Sequence, residues 1–140
     1  MLAFNHLGTL GRLGNQMFQY ASLRGIAAKK GYDFGIPPSN FKDEWRNHQL
    51  FQVFELSNLP KQNVRFLDNG HAPVVQEKKF TYDKELHELC PNDVSLWGFF
   101  QTEKYFKDIE ASIKEDFKFR DHVLKPCIEM AESLDDAVSL

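Results

Sequence analysis

The chain has little that would tie it to a redox compartment, a membrane or a nucleic acid. It holds two cysteines, Cys90 and Cys127, too few and too far apart for a disulfide framework or a Cys-x-x-Cys metal site, so buried thiols are the expectation. His87 and Cys90 could share a helix face as metal ligands, but without a second pair nearby they do not make a zinc site. No apolar run approaches the roughly 20 residues that a membrane-spanning helix requires. The start, Met1-Leu-Ala-Phe-Asn-His6, has neither the basic opening nor the long apolar stretch of a secretory signal. A net charge of −3 gives no general footprint for nucleic acid, and no basic run suggests attraction to anionic lipid. A cytoplasmic protein is expected, with peripheral association with a membrane left open.

Familiar phosphate and metal motifs are missing too. No Lys-Ser or Lys-Thr follows a glycine-rich loop, so a Walker A motif is excluded, and Gly-x-Gly-x-x-Gly is absent. There is no Asp-x-Asp, the usual sequence sign of a metal-held sugar nucleotide, and no His-x-Arg. What the chain does have is an ordinary domain's length, 140 residues, and 42% hydrophobic residues to build a core. One domain over residues 1–140 is expected, with no internal repeat and no low-complexity linker.

The most informative stretch is Gly8-Thr-Leu-Gly-Arg-Leu-Gly-Asn-Gln-Met-Phe-Gln-Tyr-Ala21. Glycines at every third position let a backbone turn tightly and approach a ligand closely. A helix beginning just after them aims unpaired N–H groups at negative charge. Arg12 adds a planar fork suited to phosphate oxygens. Asn15 and Gln16 add amides that both donate and accept, a mixture that suits a sugar nucleotide better than a bare phosphate. The same turn would also serve as nothing more than a tight strand-to-helix connection. Phe18 and Tyr20 beside it read as packing residues rather than sugar-stacking platforms.

Gly11-Arg-Leu-Gly-Asn-Gln-Met-Phe-Gln-Tyr-Ala21 resembles the N-terminal signature of the alpha-1,2-fucosyltransferases of glycosyltransferase family 11. A second segment, Trp97-Gly-Phe-Phe-Gln-Thr-Glu-Lys-Tyr-Phe-Lys-Asp-Ile109, resembles that family's later strand-to-helix element, and Ile113-Lys-Glu-Asp-Phe117 continues the likeness. Between them only patches such as Leu50-Phe-Gln-Val-Phe-Glu-Leu56 match. The resemblance implies the N-terminal half of a two-domain GT-B-type enzyme. It also implies an inverting, metal-independent transfer of fucose from GDP-fucose to the 2-hydroxyl of a galactoside, with no cofactor. Donor-binding roles would then fall to Gly11, Arg12, Gly14, Asn15 and Gln16. The family's His-x-Arg-x-Gly-Asp element, which sits in a C-terminal donor-binding half, is absent from this sequence. The expectation is therefore a half-enzyme that alone lacks efficient transfer, or a catalytically silent glycan- or nucleotide-binding module derived from such an enzyme. An unrelated phosphate-binding enzyme is the third class.

Elements read from pattern give an α/β, Rossmann-like strand-helix-strand unit with a parallel sheet. A strand near Leu2 to Leu7 leads through the glycine turn to a helix from about Gln16 to Lys30. Gly31 ends it, after Lys29 and Lys30 at the negative helix end. Tyr32 to Ile36 reads as a second strand stopped by Pro37-Pro38. Leu50, Phe51 and Phe54 suggest one face of a short helix within residues 39–58. Val64, Phe66, Val74 and Val75 suggest short strands and loops within residues 61–81. Val94 to Phe100 predicts a strand. A single following helix would carry Tyr105, Phe106, Ile109, Ile113 and Phe117 as a core-facing stripe, with Thr102 as a possible cap. Strand ends gather ligands in open α/β sheets, which puts Gln101 and Glu103 on the same rim as the glycine turn. Asp33, Asp68, Glu103 and Asp108 are chemically able to act as a general base, and the sequence assigns the role to none of them.

Overall fold

A computed structural model describes residues 1–37, 49–59 and 72–138, with side chains described as far as Leu134. Its four strands are β1 (Leu2–Ala3), β2 (Phe34–Gly35), β3 (Val74–Gln76) and β4 (Val94–Trp97), all parallel in the order β2-β1-β4-β3. The helices are α1 (Leu13–Lys30), α2 (Leu50–Val53), α3 (Lys84–Leu89), α4 (Glu110–Asp116) and α5 (Asp121–Val138), with two 3-10 turns at Glu103–Tyr105 and Lys107–Ile109. The fold is α/β and Rossmann-like, with β1 and β4 adjacent at the centre of the sheet.

Three of the strands, β1, β2 and β4, are shorter than the runs that suggest them. Leu2 to Leu7 contains only two ladder residues, yet Phe4, Asn5 and Leu7 stay buried. That run is a core-packed turn, and burial without pairing gives the same apolar signature as a strand. The second strand likewise shrinks from the expected Tyr32–Ile36 to Phe34–Gly35. Val94 to Phe100 stops pairing at Trp97 because Gly98 (φ 150) and Phe100 (φ 51) turn the chain out of the sheet. Pro38, residues 39–48, Val64, Phe66 and Asp68 lie outside the described residues.

α1 is the pillar of the fold and begins earlier than Gln16. Nine of its 18 residues are buried, on more than one face. Gly31 closes it in the left-handed conformation (φ 71), its N–H donating to the carbonyls of Ala27 and Ala28, with Lys29 and Lys30 in the last turn as expected. Gly25 is fixed by close approach, since a Cβ there would overlap the carbonyl of Tyr105. That approach accompanies another departure from expectation. Residues 103–117 form two 3-10 turns and then α4, with Phe106 and Ile109 out of helical geometry (ψ 12 and 28). Tyr105 and Ile113 of the anticipated stripe are buried, while Phe106, Ile109 and Phe117 are partly so.

A buried polar knot ties α1 to α4 and to the segment after α2. Asp116, fully buried, accepts from the Tyr20 hydroxyl (2.7 Å), the Arg24 guanidinium (2.6 Å) and the Asn58 N–H (2.8 Å). Burial, and then the bond to Asp116, push the Tyr20 hydroxyl far above the ordinary phenol range. Removing one partner of such a pair typically costs about 3–5 kcal/mol, because the other charge is left buried and alone. Residues 53–56 also pair with 116–120 through Glu55 N–H to Lys118 O and Arg120 N–H to Val53 O (both 2.9 Å).

α5 differs from the other helices. Leu124, Ile128, Met130 and Leu134 are 40–67% exposed, and Cys127, expected to be buried, is exposed on the same helix. Among the described residues no helix is long and apolar enough to cross a membrane.

Candidate functional site

The site grows from the carboxyl ends of β1 and β4. After Ala3 the chain stays beside β4, where the Asn5 N–H donates to Ser95 Oγ (3.0 Å), and then folds through two tight turns (Leu7 N–H to Phe4 O, 3.1 Å; Thr9 N–H to His6 O, 3.0 Å). Gly8 (φ 97) supplies the positive φ inside the second turn, and Gly11 (φ 88) a further left-handed residue just before the N-cap of α1. Gly11 is required twice over. The Asn15 side chain folds back across it, and a Cβ would overlap the Asn15 amide.

Arg12 takes the N-cap position of α1 in extended geometry (φ −92, ψ −166) and gives the helix no side-chain cap; the first turn holds no acidic residue. The Gln16 N–H is the first to reach a helical acceptor, Arg12 O at 3.0 Å. The N–H groups of Leu13, Gly14 and Asn15 therefore have no intrahelical acceptor at the positive end of an 18-residue helix. Arg12 is exposed and, among the described residues, has no hydrogen-bond or ion-pair partner. A cleft of about 430 Å³ opens here, lined by Gly8, Gly11, Arg12, Leu13, Gln16 and Gln49, a size common for ligand sites.

The later motif is brought to the same place. Gln101 Nε2 donates to Asn15 Oδ1 at 2.5 Å. The fully buried Gln19 donates through Nε2 to Leu10 O and to Gly98 O, both at 3.1 Å, so one side-chain amide joins the glycine turn to the loop after β4. Gln16 is nearly as buried and is occupied by backbone, its Nε2 reaching Gly11 O (3.5 Å) while its Oε1 accepts from the Gln49 N–H (3.1 Å). Gly14 faces open space, with nothing within 4 Å of where a Cβ would stand. Glu103 is exposed in the first 3-10 turn, and none of the bonds joining the two loops involves it. Thr102 caps that turn through Lys104 N–H to its Oγ1 (3.4 Å).

Glu77, which sequence reasoning passed over, holds the second loop in shape. Its Oε1 accepts from the Phe100 N–H (3.2 Å) and its Oε2 from the Tyr105 hydroxyl (3.0 Å). A Cβ at Gly98 would come within 2.8 Å of the Glu77 Cβ. Phe100, buried in a left-handed conformation unusual for a bulky side chain, is thereby fixed, with its ring against Phe4 and Tyr105 (centroids 5.8 and 5.3 Å). Burial lifts the Glu77 carboxyl above its usual range, partly offset by the Phe100 and Tyr105 hydrogen bonds. The same cause pushes the Tyr105 hydroxyl well up.

The remaining candidates lie elsewhere. His87 is buried on α3 with Nδ1 2.5 Å from the Tyr82 hydroxyl, its pKa lowered by burial. Cys90, buried at the end of α3, has its thiol pushed up to about 11 by burial. Among the described residues no cluster of three metal-type ligands occurs. Asp33, Glu103 and Asp108 are exposed. No family model, curated protein or solved structure matches the chain.

Proposed function

We propose that this chain provides the N-terminal half of an inverting, metal-independent glycosyltransferase of the alpha-1,2-fucosyltransferase kind, binding the diphosphate of GDP-fucose at the glycine turn. Departure of GDP develops negative charge on the diphosphate. The Arg12 guanidinium and the open N–H groups of α1 would stabilise that charge without a metal. The acceptor is a galactoside whose 2-hydroxyl oxygen attacks the anomeric carbon of fucose as the bond to GDP breaks, the hydroxyl proton passing to a general base. The observation that carries the reading is the Gln101–Asn15 hydrogen bond, because it joins the two segments that carry the family resemblance, 86 residues apart, on one rim.

Calorimetric titration of the chain with GDP-fucose tests the proposal, with thermal melting in parallel. A charge-assisted hydrogen bond to phosphate contributes about 1.5–3 kcal/mol, so Arg12→Ala should weaken binding roughly ten- to a hundredfold. Arg12→Lys should rescue only part of the loss, since a point charge lacks the fork. If Arg12 merely braces the turn, Arg12→Ala lowers the melting temperature and leaves the affinity of the folded protein unchanged. That result overturns the assignment. Donor binding without any transfer by the chain is expected of a half-enzyme.

A further inference from the structure

Two aromatic residues at this rim take no part in the diphosphate site. Trp97 is the last residue of β4, and His6 lies just beyond the end of β1. Both are only partly buried, at the carboxyl ends of adjacent parallel strands, where ligands of open α/β sheets collect. Their rings meet edge to face, with centroids 5.3 Å apart and an interplanar angle of 77°. The imidazole nitrogens make no hydrogen bond among the described residues.

Both flanks of the pair are anchored. The Asn5 N–H holds Ser95 Oγ one residue before His6, and Gln19 holds Gly98 one residue after Trp97. A surface fixed in this way binds without first having to be ordered. Its shape narrows the occupant. Flat nucleobases are gripped by parallel faces, whereas rings at 77° form a corner with one apolar wall and one polar edge. A pyranose is thick and two-sided, with a C–H face that suits the indole and hydroxyls that suit the imidazole nitrogens.

We propose that Trp97 and His6 form a subsite for the ring of a neutral pyranoside, which receives the acceptor sugar beside the diphosphate site. The acceptor role rests on the glycosyltransferase reading; the sugar-binding corner does not.

The test is a ¹H–¹⁵N NMR titration of the chain with methyl β-galactopyranoside, and separately with GDP. Trp97→Phe identifies the Trp97 indole signal, since the chain has two tryptophans. The sugar should move the Trp97 indole and His6 imidazole signals saturably, with a dissociation constant on the order of millimolar, as expected of a ligand of about a dozen heavy atoms. Trp97→Ala should abolish the His6 shift while the dispersed amide spectrum is kept, and Trp97→Phe should retain part of it. GDP should instead move the Gly11 and Gly14 amides. Unmoved Trp97 and His6 signals at saturating sugar overturn the proposal, a result that wild-type protein alone can give. A Trp97 shift with guanosine but not with sugar overturns it as well, by making the corner a nucleobase site. Sugar shifts at Trp97 with no GDP response at the glycine turn support the subsite and remove the diphosphate reading.

Discussion

Gly14 and Gly11 sit three residues apart in one turn, yet replacing each with alanine should have opposite effects on stability. At Gly14 a Cβ would meet nothing within 4 Å, and the residue is already in the first turn of α1. Alanine there removes glycine's conformational freedom from the unfolded chain and should stabilise the protein by about 0.4–1 kcal/mol. For a chain of this length that raises the melting temperature by roughly 2–4 °C. At Gly11 the left-handed backbone (φ 88) and the overlap with the Asn15 amide both resist a side chain. Alanine should cost about 1–3 kcal/mol there and loosen the Asn15–Gln101 bond. Binding should separate the effects again. If the open space over Gly14 receives the donor diphosphate, Gly14→Ala melts higher and binds GDP-fucose at least tenfold more weakly. The pair of measurements is differential scanning calorimetry and isothermal titration. A Gly14→Ala protein with raised melting temperature and unchanged affinity would falsify the idea that this glycine is kept for close approach of a ligand.

Three further outcomes follow from the geometry. Gly25→Ala must push α1 off the Tyr105 carbonyl and should lower stability by about 1–3 kcal/mol, read as a fall in the urea midpoint. Glu77 has a folded-state pKa raised above its unfolded value, so its ionised form opposes folding at neutral pH. The stability of wild type relative to Glu77→Gln should then increase as pH falls from 7 through the folded pKa, and level off below the ordinary glutamate value of about 4.3. A difference independent of pH in melts from pH 7 to 4 would contradict the burial argument. With a thiol-specific chromogenic disulfide at pH 8, the exposed Cys127 should react promptly, while Cys90, buried and pushed up to about 11, should react only with unfolding. Two fast thiols in the folded protein would refute this.

Local signals in the sequence were the legible ones. Gly31 after two lysines marked the end of α1, and the glycine-arginine turn marked its start to within a few residues. Neither α3 nor α5 was assigned from the sequence, although Asp83, whose side chain accepts from the Leu86 N–H, caps α3, and Pro126 inside α5 masks a helix that its apolar spacing would otherwise suggest. The illegible part was long-range. Nothing around Glu77 announces that its carboxylate will hold a loop 23 residues later. The spacing of Tyr20, Arg24 and Asp116 gives no hint that the three meet. His6 and Trp97 looked like ordinary members of apolar segments, and only the pairing of β1 with β4 sets them side by side.

That pairing has a kinetic consequence. The glycine turn and α1 can form from neighbouring residues, but the opposing loop arrives only when β4, about 90 residues along the chain, joins β1. The Met1 ammonium lies 2.8 Å from Asp93 Oδ1, 92 residues along. Closing a loop of about 90 residues costs on the order of 4 kcal/mol of chain entropy beyond the constant term. Parallel β pairing of this separation is slow. The rim should therefore be among the last parts of the molecule to assemble, well after α1 becomes helical. In pulse-labelling hydrogen exchange, α1 amides should gain protection before those of β1 and β4. A nascent chain would have no two-sided cleft until β4 had been made.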